Sequence, residues 1–430
     1  MIPILVKNVR LIDPKNKVDR VTDFYVRDGK VQKIAQNLER DRAKIIDGTG
    51  KMLFPGIIDL QVHLREPGRE DRETLKTGLS AAINGGVTSV VSMPNTNPVA
   101  DNQAVISFQR EKAKKLKLAN LFPAAAITKN QDGKKLAEMR ECKRAGAIAV
   151  TDDGVDVQNA GLLEKAMEWA KTFDLLVMSH CEEASLHDAG VMHEGEWSTR
   201  LGLSGISAAV EDYGVFRSVL LAQKTGVRFH ALHCSTAGGL EILQRAKSEN
   251  PNISCETCPQ YFCFTDEICA NYNTNAKMYP PIRDEFHRNA VIEHLKSGTI
   301  DAISTDHAPH IASEKMAPFA DAPPGSVGLE TSLAASFTFL VAAGHLTISE
   351  LIEKMSTNPA RIAKIPRGSL EVGAVADFIL FDPAKKWRVD PKKFHSKGKN
   401  SLFSGMELFG VATEVVVGGE IKKENGKILF

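Results

Sequence analysis

Ile57-Ile58-Asp59-Leu60-Gln61-Val62 is a short apolar, β-branched run. It is followed by the longer amphipathic stretch Glu70–Asn84 and then by a second such run, Val87-Thr88-Ser89-Val90-Val91-Ser92-Met93. A strand-like run, a helix-like run and another strand-like run make one βα unit of a parallel sheet. The alternation continues through the middle of the chain. Further strands are predicted at Asn120–Ala125, Ala147–Thr151, Leu175–Ser179, Val227–Leu232, Ile253–Glu256 and Ile300–Thr305, and helices at Asn159–Thr172, Ala208–Lys224, Gly238–Glu249 and Asp284–Lys296. Eight parallel strands with intervening helices close most economically into a (β/α)8 barrel of the TIM type.

Outward from this core the rhythm changes. Residues 1–54 alternate apolar and polar positions around the turn signals Asp13-Pro14-Lys15-Asn16 and Asp28-Gly29-Lys30, as a small antiparallel sheet would. Residues 368–430 do the same, with a strand at Ala376–Phe381 and a hairpin at Glu414–Val417 followed by Gly418-Gly419. Neither flank has enough strands to be stable alone. The expectation is therefore an α/β protein with a barrel over 55–367 and a small β-sandwich domain formed by 1–54 with 368–430.

Composition narrows the function classes. The chain has 430 residues, 43% of them hydrophobic, which is enough to fill a core of this size. Lys plus Arg number 54 against 53 Asp plus Glu, so there is no global field to gather polyanions and no nucleic-acid partner is expected. The cluster Lys112-Ala113-Lys114-Lys115 reads as a solvated helix face. The opening Met1–Lys7 reads as a first strand rather than a signal peptide, and the weakly polar stretch Leu333–Gly344 falls short of the roughly 20 residues that span a bilayer. No membrane association is expected. Seven cysteines without a framework pattern suit reduced cytoplasmic thiols, and Cys255-Glu-Thr-Cys258 lacks the second pair that a zinc ribbon needs.

In such a barrel, catalytic groups stand at the carboxyl ends of the strands. The residues there are His63, Asn95, Asp153, His180, His233 and Asp306. All are polar, and five are of metal-ligand type, so a mono- or binuclear site for Zn²⁺ or a related ion is expected. Such a site ionises water and polarises a carbonyl. Asp306, in Ser304-Thr305-Asp306-His307-Ala308-Pro309-His310, is placed to move the proton. Arg65 leaves the first strand on the same side as His63 and its fork suits a carboxylate. Asn95 and His310 complete a candidate anion pocket.

These residues also sit in longer strings. Asp59-Leu-Gln-Val-His63-Leu-Arg65-Glu-Pro-Gly68 resembles the metal-binding signature of dihydroorotases, and Ser304-Thr-Asp306-His-Ala-Pro-His310 resembles their second signature. Met93-Pro-Asn-Thr-Asn-Pro98, Thr151-Asp-Asp153-Gly154, Ser179-His180-Cys-Glu182 and His230-Ala-Leu-His233-Cys-Ser-Thr236 follow in the family's order, and Gly373-Ala-Val-Ala-Asp377 is common to the wider amidohydrolase superfamily. The resemblance implies reversible opening of the dihydroorotate ring to N-carbamoyl-aspartate, a step of pyrimidine synthesis, by a cytoplasmic enzyme with one or two Zn²⁺ ions. It implies His63, Asp153, His180, His233 and Asp306 as ligands. Asp153 would bridge in place of the carbamylated lysine of related hydrolases, and Asp306 would double as proton shuttle. It implies a substrate pocket of Arg65, Asn95 and His310, with backbone groups of Pro323-Pro324-Gly325 facing the ring, and an assembly of identical subunits.

Three positions depart from the family pattern. Gln61 stands where the usual His-x-His motif has its first imidazole, and an amide oxygen is a weaker donor. Tyr279 precedes Pro280-Pro281-Ile282-Arg283 where the family often has Asn, and Cys258-Pro259-Gln260-Tyr261 replaces a segment that often carries His. Two alternatives stay open on the sequence. One is a non-catalytic paralogue partnering aspartate carbamoyltransferase. The other is a hydrolase of a different ring, as in allantoinase or dihydropyrimidinase, whose substrates lack the carboxylate that Arg65 and Asn95 suit.

Overall fold

The computed structural model describes residues 2–40 and 42–429. Eight parallel strands, Ile57–Val62, Val87–Ser92, Asn120–Ala125, Ala149–Val150, Leu176–Ser179, Phe229–Ala231, Ile253–Thr257 and Ala302–Ile303, lie side by side in chain order. The last meets the first: Val62 bridges His307, the His63 N–H donates to the His307 carbonyl at 2.9 Å, and the Leu60 N–H donates to Ser304 Oγ at 3.2 Å. Ile58 and Leu60 face inward, packed with Val91, Ala149, Met178 and Ala302 of the other barrel strands, whereas Val62 and Val90 pack with the helix residues Leu79 and Ile83. The register of the first strand shifts between Asp59, which pairs with Val90, and Val62, so that Gln61 and His63 reach the inner side that Leu60 also faces.

Some strands are shorter than expected, as Phe229–Ala231 against Val227–Leu232 and Ala302–Ile303 against Ile300–Thr305, and two further differences have identifiable reasons. The first helix runs Leu75–Gly85, not from Glu70, because Thr74 and Thr77 form a reciprocal capping box that closes it. Glu73 is drawn sideways to the Ser396 hydroxyl and to the Lys397 N–H at 3.2 Å. The fourth strand shortens to Ala149–Val150 beside Pro123, which accepts from the Ile148 N–H at 3.1 Å but has no N–H to return.

The flanks form one sheet. Met52–Pro55 runs antiparallel to Phe378–Phe381, which joins the two ends of the chain, and Phe24 meets Phe378 edge-on at 5.2 Å between ring centroids. The N-terminal strand begins at Ile4; Met1, at the start of the expected opening strand, lies outside the described residues. The sheet was expected to be antiparallel and is mixed. Ile4–Asp13 is antiparallel to Val18–Arg27, but its other edge carries Lys44–Asp47 and then Met52–Pro55, both parallel. Ten residues of strand leave room for two short neighbours end to end. The C-terminal strands are Phe378–Arg388, Glu407–Val417, Glu420–Glu424 and the short Lys427–Ile428. Gly418 and Gly419, with φ of 58° and 77°, turn Glu407–Val417 into Glu420–Glu424 as a hairpin that only residues tolerant of positive φ allow. Among the described residues no helix is long and apolar enough to cross a membrane, and all seven cysteines are free and buried.

Candidate metal and catalytic centre

The loops that leave the strand ends bring the six polar residues predicted from the sequence around one cavity of about 220 Å³, which Arg65, Tyr279, His310, Pro324 and Gly325 also line. Arg65, His233 and Asp306 have φ of 61°, 34° and 48°. Side chains other than glycine hold this left-handed conformation only where surrounding structure imposes it, a pattern concentrated at functional sites.

Two ligand-type clusters share Asp153, one with His180 and His233, the other with His63 and Asp306. His63 Nε2 is 3.0 Å from Asp306 Oδ1 and 3.3 Å from Asp153 Oδ2. His180 Nδ1 is 2.9 Å from His233 Nε2, and the other Asp153 oxygen lies 3.5 Å from His233 Nε2 and 3.7 Å from His180 Nδ1. The outer hydrogen bonds fix the tautomers. His63 Nδ1 donates to Asn95 Oδ1 at 2.9 Å, and His180 Nε2 faces Glu182 Oε2 at 3.1 Å. The lone pairs of His63 Nε2 and His180 Nδ1 therefore point inward, at carboxylate oxygens and at another imidazole, an arrangement that calls for a cation between them. Without a cation, the same carboxylates draw protons onto these rings instead. Burial disfavours charged His63, yet Asp153 and Asp306 outweigh it and raise the imidazole to about 9. His180 is likewise raised to about 9, against burial, by Glu182 and Asp153. Asp153 is held well below the ordinary carboxylate value despite its burial, by His233 and His63. Imidazole and carboxylate donors in this arrangement fit Zn²⁺ or a similar ion.

Below these donors, burial pushes Glu256 up to about 8, which keeps it largely uncharged near neutral pH; Asp59, which accepts the Thr305 N–H at 3.2 Å, is pushed up to about 7. Gln61 donates its amide N–H to Asp153 Oδ2 at 3.0 Å, and its oxygen is buried without a partner. It touches the centre through the shared carboxylate.

Glu182 is the residue that sequence reasoning left without a role. It joins His180 to the Tyr279 hydroxyl, and the Tyr279 ring lies 4.9 Å from that of His180. The signal was present, since a carboxylate two residues past a strand-end histidine can curl back onto its outer nitrogen. Tyr261 ends one of the segments that depart from the family pattern, so its place relative to the pocket matters. It does not line it: its hydroxyl donates to the Pro280 carbonyl at 2.8 Å, and the side chain is buried.

Arg65 is buried, and among the described residues no carboxylate pairs with it; its Nε has no partner at all. Burial and the nearby Arg72 lower it to about 10, so it stays charged near neutral pH. Arg72 itself is taken up by Glu314. His310 is pushed down to about 2 by burial and by Arg65 and is neutral, with Nε2 2.9 Å from the Pro324 carbonyl. Gly325, at φ 121°, leaves no room for a side chain, since a Cβ there would lie 2.6 Å from that of Ala308. Its N–H donates to the Lys277 carbonyl at 2.8 Å and its carbonyl accepts from Asn400 at 3.0 Å.

Residues 50–238 match the family described as dihydro-orotase-like. A dihydroorotase of Acetivibrio thermocellus is 44% identical over 418 residues, covering 97% of this chain and 98% of the relative. One of Pelotomaculum thermopropionicum is 46% identical over 419 residues, with 97% and 98% covered. Among solved structures, an L-hydantoinase (dihydropyrimidinase) from Arthrobacter aurescens superposes with a TM-score of 0.90 at 26% identity, over 100% of this chain and 98% of the other. A D-hydantoinase shares the fold at 22% identity, with a TM-score of 0.88 over 99% and 96%.

Proposed function

From the premise that the chain belongs to the dihydroorotase family, shown by relatives 44% and 46% identical over 97% of its length, we propose that it catalyses the reversible, metal-dependent hydrolysis of dihydroorotate to N-carbamoyl-aspartate in pyrimidine synthesis. The observation that carries this reading is Arg65, a buried guanidinium without a carboxylate partner in the same small cavity as the imidazole and carboxylate cluster. Dihydroorotate supplies a ring carboxylate for it. Dihydropyrimidine and allantoin rings do not.

One or two Zn²⁺ ions held by His63, Asp153, His180, His233 and Asp306, with Asp153 shared, would supply ionised water and a polarised ring carbonyl. The protein's own groups do the rest. Asn95 orients His63 through Nδ1, and Glu182 orients His180 through Nε2. Asp306 Oδ1 lies 3.0 Å from His63 Nε2, on the side where the ion would be held, and Oδ2 is left to take the proton of the attacking water and pass it to the ring nitrogen as the C–N bond breaks. Arg65 and the Asn95 amide N–H would receive the substrate carboxylate, with the His310 ring as the neutral edge of that pocket. The neutral His310 ring also ties down Pro324, so that Pro324 and Gly325 form a fixed wall beside the ring. Gln61 serves as a neutral contact to Asp153.

Residues 55–367 would be the hydrolase unit, and 1–54 with 368–430 the second one. The seven free, buried cysteines suit a reducing cytoplasm, and we expect identical subunits to associate. In the alternative reading, a non-catalytic partner of aspartate carbamoyltransferase, the pre-arranged donors and the unpaired Arg65 would have no use. The test is metal analysis of the purified protein together with assays of dihydroorotate hydrolysis and N-carbamoyl-aspartate cyclisation. Turnover in both directions is expected. Bound metal without turnover in either direction, alone or with aspartate carbamoyltransferase, favours the non-catalytic reading.

A further inference from the structure

A second cavity, of about 490 Å³, shares no lining residue with the catalytic one. It lies where the C-terminal end of helix Leu75–Gly85 meets the flank strands Phe378–Arg388 and Glu407–Val417. Its volume falls within the ~300–1,000 Å³ typical of small-molecule sites. Lys423 lines it and is 3% exposed. Its ammonium carries three donors, and among the described residues it has one acceptor, the Asn84 carbonyl at 2.6 Å. Burial lowers Lys423 to about 8, so near neutral pH it is still mostly charged and short of partners. Arg388 and Lys385 line the same space and, among the described residues, neither forms an ion pair. Trp387 lies between them in the chain, its indole N–H fixed on the Gly410 carbonyl at 3.2 Å. Glu330 and Asp390 add carboxylates to the lining: Glu330 accepts from Asn84 at 2.6 Å and from the Ser396 N–H at 3.1 Å, Asp390 from the Lys392 N–H at 3.1 Å, and each oxygen keeps a second lone pair.

Under-partnered cations select an anion, an indole favours a flat ring, and carboxylates accept from hydroxyl groups. A phosphate joined to a ribose and a planar base presents all three. We propose that this cavity is a binding site for a nucleoside monophosphate, with the phosphate on Lys423 and Arg388, the ribose hydroxyls toward Glu330 and Asp390, and the base against Trp387.

Calorimetric titration of the metal-loaded, full-length protein with adenosine or uridine monophosphate tests this, with inorganic phosphate and the free nucleosides titrated separately. At least one monophosphate should bind at a single site, about tenfold or more tighter than phosphate or nucleoside alone. Lys423→Met and Arg388→Gln should each weaken it about tenfold or more, as expected for loss of a charged hydrogen bond. Arg65→Lys, in the catalytic cavity, should leave it unchanged. Arg388 is exposed, so its variant decides the matter even if Lys423→Met does not fold. No binding at millimolar nucleotide overturns the proposal. So does binding indifferent to Arg388→Gln, binding lost in Arg65→Lys, or phosphate alone binding as tightly as the nucleotide.

Discussion

In the proposed reaction Arg65 and Asp306 carry different parts of the chemistry, and single substitutions separate them. Arg65→Lys keeps the charge but loses the fork that holds a carboxylate, so kcat/KM for dihydroorotate should drop tenfold or more, corresponding to about 1.5–3 kcal/mol. Unchanged kinetics would make Arg65 a structural residue. Asp306→Asn keeps the shape and removes the base, so turnover should fall about 10²–10⁴-fold. Glu182→Gln acts further out. With its carboxylate gone from His180 Nε2, metal affinity measured by chelator competition should weaken about 10–100-fold, and an unaltered affinity would show that Glu182 serves only Tyr279. The sequence showed His63, Asp153, His180, His233 and Asp306 because each follows a strand that can be recognised from its own residues. It could not show that Glu182 turns back onto His180 while Tyr261 turns away under Pro280, since both depend on the path of a loop.

The helix Ala209–Thr225 shows how an element supports these residues. Gly214 lets it approach the chain after His180 so closely that a Cβ would lie 2.3 Å from the Cys181 carbonyl carbon. Its inward Arg217 holds Asp156 at 3.0 Å and the Glu182 carbonyl at 3.0 Å. Nearer the start of the helix, Glu211 accepts the Ser235 N–H at 2.7 Å and faces Arg283 at 3.5 Å. Burial alone would raise Glu211, but Arg283 and Ser235 outweigh it and hold the carboxyl below its ordinary value. A depressed folded value contributes stability that is fully present above the unfolded value, about 4.3, and is lost as pH falls through the folded one. Glu211→Gln should therefore cost about 3–5 kcal/mol near neutral pH, because Arg283 is left uncompensated. The gap in melting temperature between variant and wild type should narrow below about pH 4; a gap that stays constant with pH would exclude the linkage. The order of elements was legible in the sequence, and so were most helix ends, because caps such as Asn159 and Asp284 are local signals. The start at Leu75 and the short fourth strand were not, because Glu73 answers to Ser396 and the fourth strand to Pro123, each far away in the chain.

At the scale of the molecule, the two ends of the chain meet in a sheet that supplies none of the inward-facing donors, yet the sheet is tied to the barrel. Asp377 is the clasp: it takes the Asn120 amide of the third barrel strand at 2.9 Å, Arg367 at 2.7 Å and the Gly418 N–H at 2.6 Å. That the ends pair was readable from their alternation and their shortage of strands. The parallel pairing of Lys44–Asp47 was not, because alternation specifies a face and leaves the direction of the neighbour open. Next to the clasp, Phe378 is fully buried against Phe24. Phe378→Ala should cost about 3–5 kcal/mol, through lost burial and the cavity left behind. Because Asp377 bridges sheet and barrel, this loss should lower one shared calorimetric transition rather than split off a second. Metal content and kcat of the folded fraction should stay at wild-type values, since Phe378 reaches no donor of the centre. Two separated transitions would show that the sheet melts on its own and that Asp377 does not couple them. A fall in kcat at full metal content would show that the sheet shapes the catalytic cavity through the barrel wall.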